Sequence, residues 1–132
     1  MRNRIVYIIT LFLAALICVS AGKQGARIEF PENRTIDLGL IDGDTISSGA
    51  ITFRNTGDEP LVITQVFADC NCTVPDYPRD PVEPGDSARI TVRYDGRGFR
   101  HGPFLKVIKV RSNSDKPLVN LFVKGAIRRP KK

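Results

Sequence analysis

Two cysteines one residue apart, Cys70-Asn71-Cys72, carry the most chemical potential in this 132-residue chain. Residues two apart can place their Cα atoms about 5.5–7 Å from each other, which overlaps the 4.4–6.8 Å window of a disulfide. Four readings of the pair stay open. It is a local staple shaping the turn before Pro75, a redox couple, a two-thiolate site for a soft cation such as Cu(I), or an anchor for covalent linkage to another thiol. Against a redox couple, no helix N-terminus follows the motif to stabilise a thiolate, and the spacing is not Cys-x-x-Cys.

Other residue types that could do chemistry lack companions. His101 is the only histidine and lies in the glycine- and arginine-rich stretch 96–102. One histidine cannot be argued into a Ser-His-Asp set, and the expectation is an exposed loop residue. The spacing Gly96-x-Gly98 is not a phosphate loop, because no helix follows it. Asp76, Asp80, Glu83 and Asp86 alternate with prolines and read as solvated loop charges. A closed zinc site needs four ligands; Cys70, Cys72 and His101 are three. No catalytic residue, no metal and no cofactor is assigned, and the expectation is a protein that is not an enzyme.

The elements that must position the cysteines are strands. No stretch beyond the first 21 residues keeps apolar residues at a 3.6 period, whereas short alternating runs recur throughout. They fall at 27–30, 35–38, 49–55, 61–67, 88–94, 104–110 and 118–124. The cleanest is 88–94, with Ala88, Ile90, Val92 and Tyr94 on one face and Arg89, Thr91 and Arg93 on the other. Residues 55–60, Asn-Thr-Gly-Asp-Glu-Pro, are turn chemistry. Residues 68–87, with four prolines, read as one long irregular connection. About seven short antiparallel strands with frequent turns predict an all-β, immunoglobulin-like sandwich. Helix-free connections argue against a parallel sheet. The expected core is Ile51, Phe53, Ile63, Phe67, Ile90, Val92, Val107, Leu121 and Val123.

The ends of the chain address its destination. Residues 1–4 carry Arg2 and Arg4, residues 5–17 are nearly all apolar, and small residues surround Ala21. That is the layout of a signal peptide, with cleavage expected between Ala21 and Gly22. A membrane span needs about 20 apolar residues, more than this run supplies. A lipidated Cys18 is disfavoured, since Ile17 occupies the place of the usual small residue. Processing removes Arg2 and Arg4 and no acid, so the formal charge falls from +6 to +4. The expected organisation is a signal peptide over 1–21, one domain over 22–127 and a basic tail over 128–132. No aromatic-interleaved basic stripe marks a nucleic-acid surface.

Several motifs occur in order along the domain: Asn55-Thr-Gly-x-x-Pro-Leu-x-Ile63, Asp69-Cys-Asn-Cys-Thr-x-Pro75, Pro81-Val-x-Pro-Gly85, Tyr94-Asp95, Gly102-Pro-Phe-x-Lys106 and Ser112-Asn113. Together they resemble the exported bacterial domain-of-unknown-function family 1573, common in Bacteroidetes, over about residues 35–127. That family resembles in fold the immunoglobulin-like domains of Hydin and ASPM proteins. It usually has Gly between the cysteines; Asn71 is the non-glycine residue that best tolerates a left-handed turn. The resemblance implies export and a bacterial envelope setting, in the periplasm or outside the cell, and no catalytic residues. The expected function is a non-catalytic binding or scaffolding domain with a protein partner in the envelope, no nucleic acid and no membrane span after processing. The alternative is a thiol-dependent redox or copper-handling protein using Cys70 and Cys72.

Overall fold

The computed structural model describes residues 2–15 and 22–129. Arg2–Ala15 form a helix, α1, and no described helix is long and apolar enough to cross a membrane. The expected cleavage residue Ala21, the alternative lipid site Cys18 and the last three residues of the basic tail lie outside the described residues.

Eight strands follow: β1 (Ile28–Glu29), β2 (Thr35–Asp42), β3 (Ile46–Asn55), β4 (Ile63–Ala68), β5 (Thr73–Asp76), β6 (Ser87–Asp95), β7 (Gly102–Ser112) and β8 (Leu118–Arg128). They form two four-stranded sheets, ordered β1-β3-β6-β5 and β2-β8-β7-β4. The result is the expected two-sheet sandwich, with differences that have physical causes.

The added strand is β5, inside the stretch expected to be irregular. It pairs Thr73 with Tyr94 and Asp76 with Thr91. It sits at a sheet edge, where the missing N–H of Pro75 is tolerated. Arg128, expected in the basic tail, is the last residue of β8 and forms an ion pair with Asp42.

One pairing is parallel. β2 runs alongside β8, with Thr35 opposite Phe122 and Ile41 opposite Ile127. Parallel neighbours need a crossover only when they are consecutive in sequence. Here the whole domain lies between them. The chain enters as β1 against β3 in one sheet, turns at residues 31–34 and continues as β2 in the other. Arg34, with φ of 44°, makes that switch.

Two core expectations fail by register. A bulge between Ile63 and Gln65 shifts the inward phase of β4, so Val66 is buried and Phe67 is only half-buried. A one-residue slip swaps the faces of a strand. On β7 the apolar residues occupy both faces, and Ile108 and Val110 are the buried ones while Val107 turns outward, half-buried. Ile51, Phe53, Ile63, Ile90, Val92, Leu121 and Val123 lie in the core as expected. A second, smaller cluster closes one end of the sandwich: Ile41, Cys72, Tyr94 and Ile127, with Leu38, Cys70 and Phe104 packed against them.

Candidate functional site

The cysteine pair lies where the chain leaves β4, in one sheet, and enters β5, in the other. Cys70 and Cys72 are bonded as a disulfide with Cα atoms 5.3 Å apart. Their surroundings differ: Cys72 is buried at 7% exposure in the end cluster, while Cys70 is half-exposed. Backbone bonds hold the turn independently of the sulfurs. Thr73 N donates to Cys70 O at 3.4 Å and Asp95 N to Cys72 O at 2.8 Å. Below them Tyr94 stacks on Phe104, ring centroids 4.2 Å apart and planes within 9°.

Thr73 is the polar partner of both sulfurs. Its Oγ1 lies 3.5 Å from Cys70 Sγ and 3.6 Å from Cys72 Sγ. A bonded sulfur carries no hydrogen, so the threonine hydroxyl is the donor. Thr73 itself is 3% exposed. Thr73 stands in the motif Asp69-Cys-Asn-Cys-Thr-x-Pro75, but spacing alone gave it no role; that comes from the turn geometry that folds it back over its neighbours.

Magnitudes decide what the disulfide does for the fold. Closing a loop with a single intervening residue is worth about 1.5 kcal/mol in the chain-entropy picture. Burying one leucine or isoleucine is worth about 1.5–3 kcal/mol, and some twenty apolar side chains are buried here. The core holds the sandwich; the bond only shapes its turn.

Asp95, whose amide donates to Cys72 O, binds Arg97 through a two-pronged contact: Nη2 to Oδ2 at 2.6 Å and Nε to Oδ1 at 2.9 Å. The guanidinium hydrogen bonds, then the Arg97 backbone amide, hold the Asp95 carboxyl down to about 2. An unfolded Asp titrates near 3.9. The contact therefore stabilises the fold above about pH 4, and that contribution is lost as pH falls toward 2. Urea midpoints of wild type and Asp95→Asn should differ at pH 6, narrow through about pH 2 and converge below it; a pH-independent difference would refute this.

The remaining candidates from the sequence are not brought together. His101 is exposed, in the loop between β6 and β7, and stands beside Gly43, 3.7 Å from where a Cβ on that glycine would lie. Among the described residues no three His, Cys, Asp or Glu side chains converge as a metal site. Asp76, Asp80, Glu83 and Asp86 are spread along exposed loop and edge positions. Gly22, expected to begin the processed chain, is exposed and leads toward β1.

A second feature was not visible in the sequence: the sheet edges. Natural edges are guarded by brevity, proline, charge or bulges. β1 has two residues and is followed by Pro31; β5 has four, including Pro75 and Asp76; β2 carries Asp37 and Asp42 and bulges at Gly39. β4 reads Ile-Thr-Gln-Val-Phe-Ala, with neither proline nor charge. Its first half is bulged and covered: the Tyr77 hydroxyl donates to Thr64 O at 3.5 Å, and Arg79 lies over the Tyr77 ring at 4.0 Å. The half from Gln65 to Ala68 leads directly into the cysteine turn.

Comparison with known proteins places this architecture. A protein of unknown function from Porphyromonas gingivalis W83 superposes with a TM-score of 0.66 at 23% identity, covering 83% of this chain and 50% of its own. The chain thus spans about half the length of that protein. The ASH/PapD-like domain 7 of human CEP192 gives a TM-score of 0.60 at 10% identity, over 86% of this chain and 92% of that one. The YadV chaperone gives 0.53 at 14% identity, over 79% and 52%. At these identities the likeness is one of fold: a PapD-like, immunoglobulin-like sandwich. No curated protein matches the sequence. The family described as proteins of unknown function, DUF1573, matches residues 28–127, and the chain belongs to that family.

Proposed function

We propose that this chain is an exported, non-catalytic binding domain of the bacterial cell envelope that takes an extended segment of a protein partner along edge strand β4. The observation that carries this reading is the chemistry of β4, the one edge among the described strands with neither a proline nor a charged residue. An extended peptide added there gains main-chain hydrogen bonds, and the alternating side chains of β4 set which peptide fits. Export rests on the basic, apolar and small-residue order of residues 1–21, with cleavage between Ala21 and Gly22. One neighbour in fold is a chaperone, a protein whose work is with other proteins.

A photo-crosslinking residue at Gln65, in cells that make the protein natively, should yield an adduct to another protein on a chain that begins at Gly22. The same probe at Asp37, on edge β2, should yield none. Equal adducts at both positions, or no adduct at Gln65, would count against strand addition at β4.

A second reading, thiol-dependent redox or copper handling, is favoured by the bonded pair, whose Cys70 is partly exposed. Its copper branch needs thiolates, and neither sulfur is one while the two are joined.

A further inference from the structure

The geometry points to Cys70–Cys72 as a site of thiol–disulfide exchange, opened by an external thiol at Cys70 Sγ, with Cys72 as the leaving sulfur. Three observations carry this. The two residues are unequal in exposure, Cys70 half-buried and Cys72 buried at 7%, which favours an incoming thiolate at Cys70. Exchange rates depend on which sulfur can be attacked and on how well the other leaves. The leaving sulfur has a donor in place, since Thr73 Oγ1 lies 3.6 Å from Cys72 Sγ. The turn also keeps its backbone bonds from Thr73 N to Cys70 O and from Asp95 N to Cys72 O, so the frame survives opening.

A thiolate bonds to Cys70 Sγ and the Cys70–Cys72 bond breaks. The electron pair leaves on Cys72 Sγ, which accepts the Thr73 hydroxyl hydrogen bond and then a proton from solvent. A second thiolate attacks the incoming sulfur of the mixed disulfide and releases Cys70 as a thiolate, which is protonated in turn. Two thiols are oxidised to one disulfide and the protein pair is reduced to a dithiol. With one residue between the cysteines, a mixed disulfide that meets no second thiol is displaced by Cys72 and the pair re-forms. Thr73 is a positioning residue here, acting on the leaving group. This inference rests on the redox branch of the second reading and is separate from strand addition at β4, so its outcome does not alter the crosslink expected at Gln65.

The test uses natively processed protein purified without reductant. It is incubated in native buffer with millimolar glutathione, or with a cysteine-containing peptide, then trapped by alkylation and mapped by mass. The expected products are a mixed disulfide on Cys70 and then the dithiol, with an unchanged far-ultraviolet β signal. Thr73→Val should slow opening about tenfold, the worth of a hydrogen bond to a developing charge, and Thr73→Ser should restore it. Reaction with glutathione alone assigns a small-molecule thiol as co-reactant; reaction with the peptide alone assigns a protein thiol. The inference is overturned if the pair resists both thiols until the protein is denatured, if the adduct forms on Cys72, or if Thr73→Val opens at the wild-type rate.

Discussion

Asn55→Ala should destabilise the domain by about 3–5 kcal/mol, lowering the urea midpoint by about 2 M with little change in slope. The Asn55 side chain is fully buried and every hydrogen-bonding position on it is occupied. Nδ2 donates to Glu59 O at 2.7 Å and Val82 O at 2.9 Å. Oδ1 accepts from Gly57 N at 3.0 Å and Arg27 N at 3.3 Å. An asparagine offers two donors and two lone pairs, so the site is saturated. Alanine removes that partner from four backbone groups, of which Val82 O keeps the Leu61 amide at 2.9 Å, and stranding a buried polar group costs more than a hydrogen bond is worth. Asn55→Asp tests the same point with nearly the same shape, because it turns an oxygen toward two carbonyls. It should cost at least as much at neutral pH. A loss under about 1 kcal/mol for both variants would show that water replaces the side chain and that this polar knot does not hold the fold.

Gly57→Ala should cost about 3 kcal/mol, at the upper end of overpacking. A Cβ at Gly57 would overlap the carbonyl oxygen of Gly25 and stand 2.7 Å from Arg27 N and 2.9 Å from Ala26 C. All three are backbone atoms, which cannot swing aside as a side-chain tip can. The turn lies this close because it is sewn to the start of the domain. Thr56 N donates to Arg27 O and Asp58 N to Gly25 O, while the Asp58 carboxylate accepts from Gln24 N and Gly25 N. Asn55 and Gly57 belong to one lock, so the double variant should lose about 1 kcal/mol less than the two single losses combined. Denaturant unfolding of the three variants checks this, and strict additivity would separate the two residues.

These residues also mark how far the sequence alone could be read. The stretch 55–60 was legible as a turn from its residue types, but the saturation of Asn55 depends on Arg27 and Val82, distant partners that only the fold brings near. β6 was read correctly because it is flanked on both sides and its alternation is uninterrupted. β4 was misread at Phe67 because a bulge has no signature in apolar spacing, and β7 at Val107 because apolar residues occur in both phases of that segment. β5 was hidden by Pro75, which argues against a central strand and says little about an edge. At the cysteine turn the pair itself was plain, and its spacing allowed the bond. The inequality of the two sulfurs and the hydroxyl between them required the crossing from β4 to β5 and the packing against Tyr94.

The parallel pairing of β2 with β8 bears on how the domain comes together in time. The sole sheet neighbour of β2 is β8, with Thr35 matched to Phe122, so the first long strand must wait for the last to be synthesised. Non-local pairings of this kind fold slowly, because the loop-closure entropy is met before the contacts form. A nascent chain that ends before Leu118 has no place for β2 and leaves β7 open on one side. Completion of the second sheet is therefore coupled to the arrival of the C-terminal strand.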